Sequence, residues 1–267
     1  MARRSRLRSG LAVAAALVVG YGLLAYVVLP WAWTHYEHQS GLAGLPMVTR
    51  TAQDIPGDPL NVGLVGSQED LVRAMHTAGW SPADPITLRT SLEIAGSVVL
   101  DRPYRDAPVS PLFYHSRRED LAYEKEVGLS ADRRHHVRFW KSLDSGREGR
   151  PVWLGSVTFD RGSGLSRYTG QITHHIAPNI DAERDGLLAD LILARMITTT
   201  YAVSGVGPTL YGHNGEGDRY FTDGELRMGA LVVAGQRAEQ PPAELPSPPL
   251  ASMKNAIWAG ATRAHAE

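Results

Sequence analysis

The chain has 267 residues, a formal net charge of −1 and no cysteine. The nearly neutral balance gives no basic field that would hold nucleic acid, and the missing cysteines exclude disulfides, thiol nucleophiles and Cys-based zinc sites. A hydrophobic content of 43% and a charged content of 21% are typical of a globular protein. We therefore expect one globular domain with no nucleic acid among its partners.

The amino terminus carries the clearest signal in the chain. An arginine cluster precedes an uncharged run over 9–34, in which residues 11–30 are long and apolar enough to cross a bilayer. The positive-inside rule places these arginines in the cytoplasm and the following domain in the periplasm of a bacterium. A cleaved signal peptide is the alternative, but Leu29-Pro30-Trp31-Ala32-Trp33 is a poor cleavage site. We predict a single-pass anchor in the inner membrane, with Arg3, Arg4, Arg6 and Arg8 on the cytoplasmic side.

Composition divides the chain into five segments. Residues 1–10 form the basic cytoplasmic segment and 11–30 the anchor. Polar residues with Gly and Pro predict a juxtamembrane linker over 31–58. Residues 59–237 form the predicted globular domain, and the proline-rich tail over 238–267 is predicted to be disordered or extended.

Within the globular domain, strands and helices alternate without an internal repeat. Ser67 is a plausible N-cap for a helix that ends at Gly79. The intermingled elements predict the α/β or α+β class, with a mixed β-sheet layered with helices. The remaining predicted elements are strands at 61–65, 112–114, 120–127, 134–141, 152–160, 172–176, 219–222 and 226–233, and helices at 85–100 and at 182–197, the latter capped by Asp181.

The strands over 134–141 and 152–160 predict a hairpin with two unlike faces. Pairing Arg138 near Leu154 places His136 beside Ser156. Because side chains alternate along a strand, one face collects polar groups and the other apolar groups. The polar face is either a solvated surface or a functional site. It carries Arg134, His136, Arg138, Ser156, Thr158 and Asp160, and the core face carries Val137, Phe139, Val157 and Phe159.

Two adjacent histidine pairs, at 135–136 and 174–175, suggest a metal hypothesis. Neighbours on a strand point to opposite faces, so only one histidine of each pair can converge on a shared ion. His136, either His174 or His175, and Asp160 would give two imidazoles and a carboxylate, a set suited to zinc or non-haem iron. The same four residues are the catalytic candidates for a hydrolase. The alternative is that His135 and one histidine of the later pair are hydrogen-bonded core residues.

Four arginines suggest a different chemistry, because guanidinium groups bind phosphate or carboxylate in a bidentate manner. The ligand-binding candidates are Arg118, Arg134, Arg138 and Arg184. The alternative is ordinary salt bridging to carboxylates such as Asp120, Glu183 and Asp185. The acidic segment 181–185 is also a candidate for holding His175 by a hydrogen bond.

The ordered motifs of the soluble part resemble the LssY carboxy-terminal domain family over about 60–235. That family often joins the domain to membrane modules similar to lipid phosphatases or to DedA-like proteins. This chain has one predicted anchor and no phosphatase module, so the resemblance implies fold and location rather than an active site. The motifs are Pro108-Val109-Ser110-Pro111-Leu112, Arg118-Glu119-Asp120-Leu121-Ala122-Tyr123-Glu124-Lys125, Arg134-His135-His136-Val137-Arg138-Phe139-Trp140, Pro151-Val152-Trp153-Leu154-Gly155, Thr173-His174-His175-Ile176 and Asp181-Ala182-Glu183-Arg184-Asp185.

These observations leave three functional hypotheses. The first is a binding or accessory module that recognises an anionic, phosphate-bearing ligand of the cell envelope, such as a lipid phosphate. The second is a hydrolase, with or without a divalent metal, acting on a lipid-linked or phosphorylated envelope substrate. The third is a structural partner of a membrane protein of the lipid-phosphatase type, held through the anchor helix.

Overall fold

The structure is a computed structural model that describes most of the chain. The predicted helix over 85–100 lies outside the described residues. The described residues are 2–30, 41–42, 44–83, 112–127, 133–146, 148–168, 170, 172–204 and 211–247, with isolated positions beyond 247.

The amino-terminal helix α1 spans Ala2–Leu23 and continues as a π-helical segment over Leu24–Val28. Its stretch Arg8–Val28 has 21 residues, a mean hydropathy of 2.3 and no buried part. Apolar side chains such as Leu17 and Val18 are exposed along it. The helix is therefore long and apolar enough to cross a membrane, and a signal sequence would have the same features.

A mixed sheet of nine strands organises the described part of the domain. Most neighbours are antiparallel, but β14 pairs with β3 and β11 with β15 in parallel. The order is β15-β11-β14-β3-β9-β8-β7-β4, and β10 pairs with the outer part of β9. The strands of this sheet are β3 Val62–Val65, β4 Ser81–Pro82, β7 Leu121–Glu126, β8 Arg134–Leu143, β9 Val152–Leu165, β10 Ile172–Ile176, β11 Ile197–Ser204, β14 Glu225–Leu231 and β15 Ala243–Glu244.

Two helices cover one face of this sheet. Helix α2 spans Gln68–Thr77 and begins at the predicted capping box, in which Ser67 and Asp70 exchange hydrogen bonds of 3.1 Å. Helix α3 spans Ile180–Leu193, and its N-cap is Asn179 rather than the predicted Asp181. It also ends before residue 197, because the run Ile-Thr-Thr-Thr from Ile197 favours a strand and starts β11.

A second, smaller sheet covers part of the opposite face. Its order is β2-β1-β5-β6, with β1 at Val48–Arg50, β2 at Pro56–Pro59, β5 at Phe113–Tyr114 and β6 at Arg117–Arg118. A third pair joins β12 at Gly212–His213 to β13 at Arg219–Tyr220. The predicted class, a mixed sheet layered with helices, is confirmed.

Both faces of the large sheet are therefore buried over much of their area. Val137, Phe139 and Val157 pack under the helices, as predicted, whereas Phe159 is only partly buried. Trp140 and Leu154 lie on the other face, in a second core with Leu60 and Leu112 and their neighbours. The polar face of the β8–β9 hairpin belongs to this second face and is shielded from bulk water.

The predicted linker and the predicted tail both contain strands. The segment 31–58 is not a linker throughout, because β1 and β2 lie within it and Leu42 is buried in the second core. The tail is not disordered throughout, because β15 pairs with β11. Glycine, proline and scattered charge predict loops, but β1 and β2 are short strands that pair with each other, and β1 also pairs with the distant β5.

Candidate functional site

The β8–β9 hairpin forms as predicted, but its register differs by two residues. Arg138 pairs with Ser156, His136 with Thr158 and Arg134 with Asp160. A shift of two leaves every side chain on its predicted face, and alternation alone cannot distinguish registers that differ by two. The six polar side chains therefore do share one face, and each residue is at most 6% exposed.

A pocket with a volume of about 40 Å³ opens between this face, the small sheet and the loop that follows β12. That volume suits a small ion or a few water molecules rather than an extended ligand. Apolar side chains close part of its wall, and mainly polar and charged groups supply the rest. The lining residues are Thr51, Asp58, Leu112, Arg138, Thr158, Asp160, His174, Ile176, Asn214, Gly215 and Glu216.

Arg138 is 6% exposed and projects into this pocket. Its nearest acidic partner is Asp58, with 3.8 Å between Nη1 and Oδ2, and its guanidinium forms no hydrogen bond with any described residue. Asp58 is held from the other side by Asn214, whose Nδ2 donates to Oδ1 at 3.1 Å. Burial raises the pKa of Asp58, although Arg138 and Asn214 oppose that shift. Arg138 thus keeps its donors available to a ligand.

Asp160 lies between Arg134 and His174. Its Oδ2 is 3.6 Å from Arg134 Nε and 4.0 Å from His174 Nδ1, and it accepts no hydrogen bond from the described residues. Burial raises the pKa of Asp160, opposed by the charges of His174, Arg138 and Arg134. Arg134 is committed elsewhere, because its Nη1 donates to Glu124 Oε2 at 2.8 Å.

His174 is the histidine of the later pair that enters the pocket. Its side chain is 9% exposed, and neither ring nitrogen has a hydrogen-bond partner among the described residues. A buried imidazole without partners is costly to leave unsatisfied. His174 and Asp160 therefore present unsatisfied polar atoms to the same small volume.

His175 and His135 have structural partners instead. His175 Nδ1 lies 2.8 Å from Asp218 Oδ1, and Asp218 also accepts from the backbone of Ile176. His135 contacts Glu183 of α3. The prediction that segment 181–185 holds His175 is therefore wrong, since that segment holds His135.

His136 shares the polar face but does not line the pocket. Burial holds the pKa of His136 well below its usual value, and the charges of Arg138, Arg134 and His174 lower it further. The ring is consequently neutral at physiological pH.

Two of the other arginine candidates, Arg184 and Arg118, lie apart from the pocket. Arg184 is 1% exposed and donates to Asp181, Asp185, Asp223 and the Glu225 carbonyl, so its donors are consumed within the fold. These hydrogen bonds and charges raise its pKa against the effect of burial. Arg118 lies on β6, is exposed and contacts Glu119 at 3.5 Å. Of the four candidates, only Arg138 faces the pocket with donors to spare.

The metal hypothesis gains no geometric support. Among the described residues, no group of three or more His, Asp or Glu side chains is arranged to hold an ion. His136 does not line the pocket, and the charge of Arg138 beside Asp160 disfavours a cation there. The set of His136, His174 and Asp160 remains a prediction that chelation can test.

Sequence analysis missed the pocket residues outside the hairpin, above all Asp58, Asn214 and Glu216. The loop that carries Asn214 packs closely on the small sheet, since a Cβ at Gly215 would lie 2.4 Å from Thr51 Cγ2. Asn214 Oδ1 also accepts from the amides of Glu216 and Asp218, which fixes the loop. Asp58 lies in β2 and was included in the predicted linker over 31–58, and no sequence pattern marked its carboxylate as buried.

Comparison with known proteins gives a family but no close relative. No curated protein and no solved structure matches the chain. The sequence profile of the LssY C-terminus family matches residues 42–226, which is more than half of the chain and includes all the pocket-lining residues. The chain belongs to the LssY C-terminus family.

Proposed function

We propose that the domain binds the phosphate group of a cell-envelope ligand in the pocket around Arg138, as a binding or accessory module. The observation that carries this proposal is the Arg138 guanidinium, which is buried, projects into the pocket and has no hydrogen bond among the described residues. Guanidinium groups match phosphate oxygens in geometry and charge. His174 lines the same cavity, and its ring N–H would donate a further hydrogen bond to the phosphate.

The proposed location follows from the amino-terminal helix. A single-pass anchor over 11–30, with the arginine cluster in the cytoplasm, would hold the domain at the periplasmic face of the inner membrane. A reporter that is active only outside the cytoplasm, fused after Glu239, is expected to be active. Replacing Arg3, Arg4, Arg6 and Arg8 with neutral residues should reduce that activity, whereas activity of a cytoplasm-only reporter at the same junction would refute the orientation.

Thermal melting of the full-length chain in detergent tests the binding proposal. Inorganic phosphate should raise the melting temperature of the wild type, because a ligand that binds the native state stabilises it by mass action. Arg138→Ala should abolish that rise. Arg118→Ala is the matched control, since Arg118 is an exposed arginine away from the pocket, and it should retain the rise. An unchanged rise in Arg138→Ala would reject this pocket.

A second candidate function is hydrolysis of a phosphorylated envelope substrate. Asp160 and His174 favour it, because an unsatisfied carboxyl and an unsatisfied imidazole lie 4.0 Å apart beside Arg138. Such groups can exchange protons with a reacting oxygen, and Arg138 would stabilise its charge. Release of inorganic phosphate from a phosphomonoester by the wild type, lost in His174→Ala, would establish this activity. Binding without release would leave the domain an accessory module.

A further inference from the structure

Carboxyl groups outnumber the cations around the pocket. Asp58, Asp160 and Glu216 all line it, whereas Arg138 is the only Lys or Arg among its described lining residues. Arg134 stands behind Asp160 but is already paired with Glu124 at 2.8 Å. A fully ionised anion that contacts Arg138 would therefore also approach two or three carboxylates.

These carboxylates also need hydrogen-bond donors. Asp160 Oδ2 and Glu216 Oε2 are both buried, and neither accepts a hydrogen bond from the described residues. An ionised carboxylate only accepts, so two lone pairs would repel where a ligand oxygen without hydrogen meets Asp160. A ligand that brings its own hydroxyl hydrogen removes the repulsion and satisfies the buried acceptor.

We propose that the pocket selects a phosphate group that carries its own proton, and rejects anions that have none. Arg138 donates to the ionised oxygens of the phosphate, and the P–OH donates to the Asp160 carboxylate, with Asp58 lying beside Arg138 as the second acidic wall. This inference rests on the proposed function and names its ligand class: phosphate or a phosphomonoester.

The chemistry separates this class from close analogues. The second pKa of a phosphomonoester is about 6, so the singly protonated form is present near neutral pH. Sulfate and phosphodiesters have the same tetrahedral shape but no proton at that pH. A site that relies on a ligand hydrogen discriminates strongly against analogues that lack it, because its own polar group is then left unpaired.

Isothermal titration of the full-length chain in detergent, near pH 6, tests the proposal. The probes are inorganic phosphate, a short-chain phosphatidate, dimethyl phosphate and sulfate. Phosphate and phosphatidate should bind at least about tenfold more tightly than dimethyl phosphate or sulfate, the factor expected from one unfavourable charge contact. The ratio of the affinities for phosphate and phosphatidate shows whether the pocket prefers a free anion or a lipid headgroup.

Asp160→Asn should reverse this preference among anions. Its amide nitrogen replaces an acceptor with a donor, so the affinity for sulfate should rise at least about tenfold. Asp144→Asn is the control: it changes an exposed carboxylate and should leave sulfate binding weak. Asp58→Asn is the second variant should the first fail to fold, and it should also favour sulfate. Equal binding of all four anions by the wild type would overturn the selection and leave the phosphate pocket standing. Failure of every anion to bind would overturn both proposals.

Discussion

Arg138 and Asp58 face each other across the pocket, with 3.8 Å between Nη1 and Oδ2. This separation allows attraction between the charges but is too long for a hydrogen bond. Both residues are buried, and Asp58 is fixed by Asn214 rather than by Arg138. The pair therefore lacks the close contact of a structural salt bridge, in contrast to Arg184 and its aspartates.

The two faces of β8 should respond differently to mutation. Val137 is fully buried under the helices, so Val137→Asp should lower the free energy of unfolding by several kcal/mol, about 3–5, by burying an unpaired charge. Arg138→Ala should cost much less, about 1 kcal/mol, because Arg138 gives the described fold no hydrogen bond. Urea denaturation of the full-length chain in detergent measures both. Equal losses would mean that Arg138 is structural.

Arg184 should behave as a structural residue rather than as a ligand contact. Arg184→Ala removes the guanidinium that Asp181 and Asp223 share and should lower stability by roughly 3–5 kcal/mol. Arg184→Lys should recover part of this loss but not the bidentate contact to Asp223. Denaturation combined with phosphate titration separates the two roles. A stable Arg184→Ala variant that no longer responds to phosphate would contradict the assignment.

His136 should make the protein less stable as the solution becomes acidic. The unfolded chain binds a proton on this imidazole below about pH 6.5, whereas burial and the neighbouring Arg138, Arg134 and His174 keep the folded form neutral to a lower pH. The unfolded state then binds more protons, so stability falls by up to about 1.4 kcal/mol per pH unit below that value. Burial raises the pKa values of Asp58 and Asp160, so these groups contribute with the opposite sign as the pH falls through their folded-state pKa values.

Comparison with His136→Gln isolates that contribution, because both proteins keep the same aspartates. Unfolding free energies at pH 5 and pH 7 should differ more in the wild type than in the variant. Identical differences would show that His136 titrates alike in both states.

Chelation tests the metal hypothesis for His136, His174 and Asp160. Since no described cluster has a metal-binding arrangement, we expect the melting temperature to stay unchanged on addition of a chelator or of zinc, iron or manganese. If the chelator lowered the melting temperature of the wild type but not that of His174→Ala, a bound metal ion at this site would be supported. His175→Ala is the matched control, because His175 is held by Asp218 away from the pocket lining.

The sequence predicted the parts of the site that depend on alternation. Alternation of side chains with a period of two predicted which strands form the hairpin. It also predicted the polar face that carries Arg134, His136 and Arg138. The register did not, since a shift of two preserves every face. The sequence favoured His174 over His175 as the pocket residue only weakly. The register of β10 on β9 shifts at a bulge between His175 and Ile176, and a bulge of this kind cannot be located from alternation along the strand.

The rest of the site depends on contacts between distant segments. Asp58 reaches the pocket because β2 joins a small sheet with β1, and the loop of Asn214 arrives from more than 150 residues away along the chain. Short strands such as β1 and β2 have little local signal, so their segment was predicted to be a linker. The sequence could not show that Arg184 differs from the candidate ligand-binding arginines. Its structural role is visible only from its contacts with Asp181 and Asp223.

A phosphorus NMR titration shows directly whether Arg138 binds a phosphate group. Glycerol 3-phosphate is added to the full-length chain in detergent, and its phosphorus resonance is followed for the wild type, Arg138→Ala and the control Arg118→Ala. The phosphorus resonance should shift or broaden in a saturable manner with the wild type and with Arg118→Ala, and this response should be lost with Arg138→Ala. A resonance that the wild type leaves unchanged, or that Arg138→Ala shifts as the wild type does, would contradict phosphate binding at Arg138.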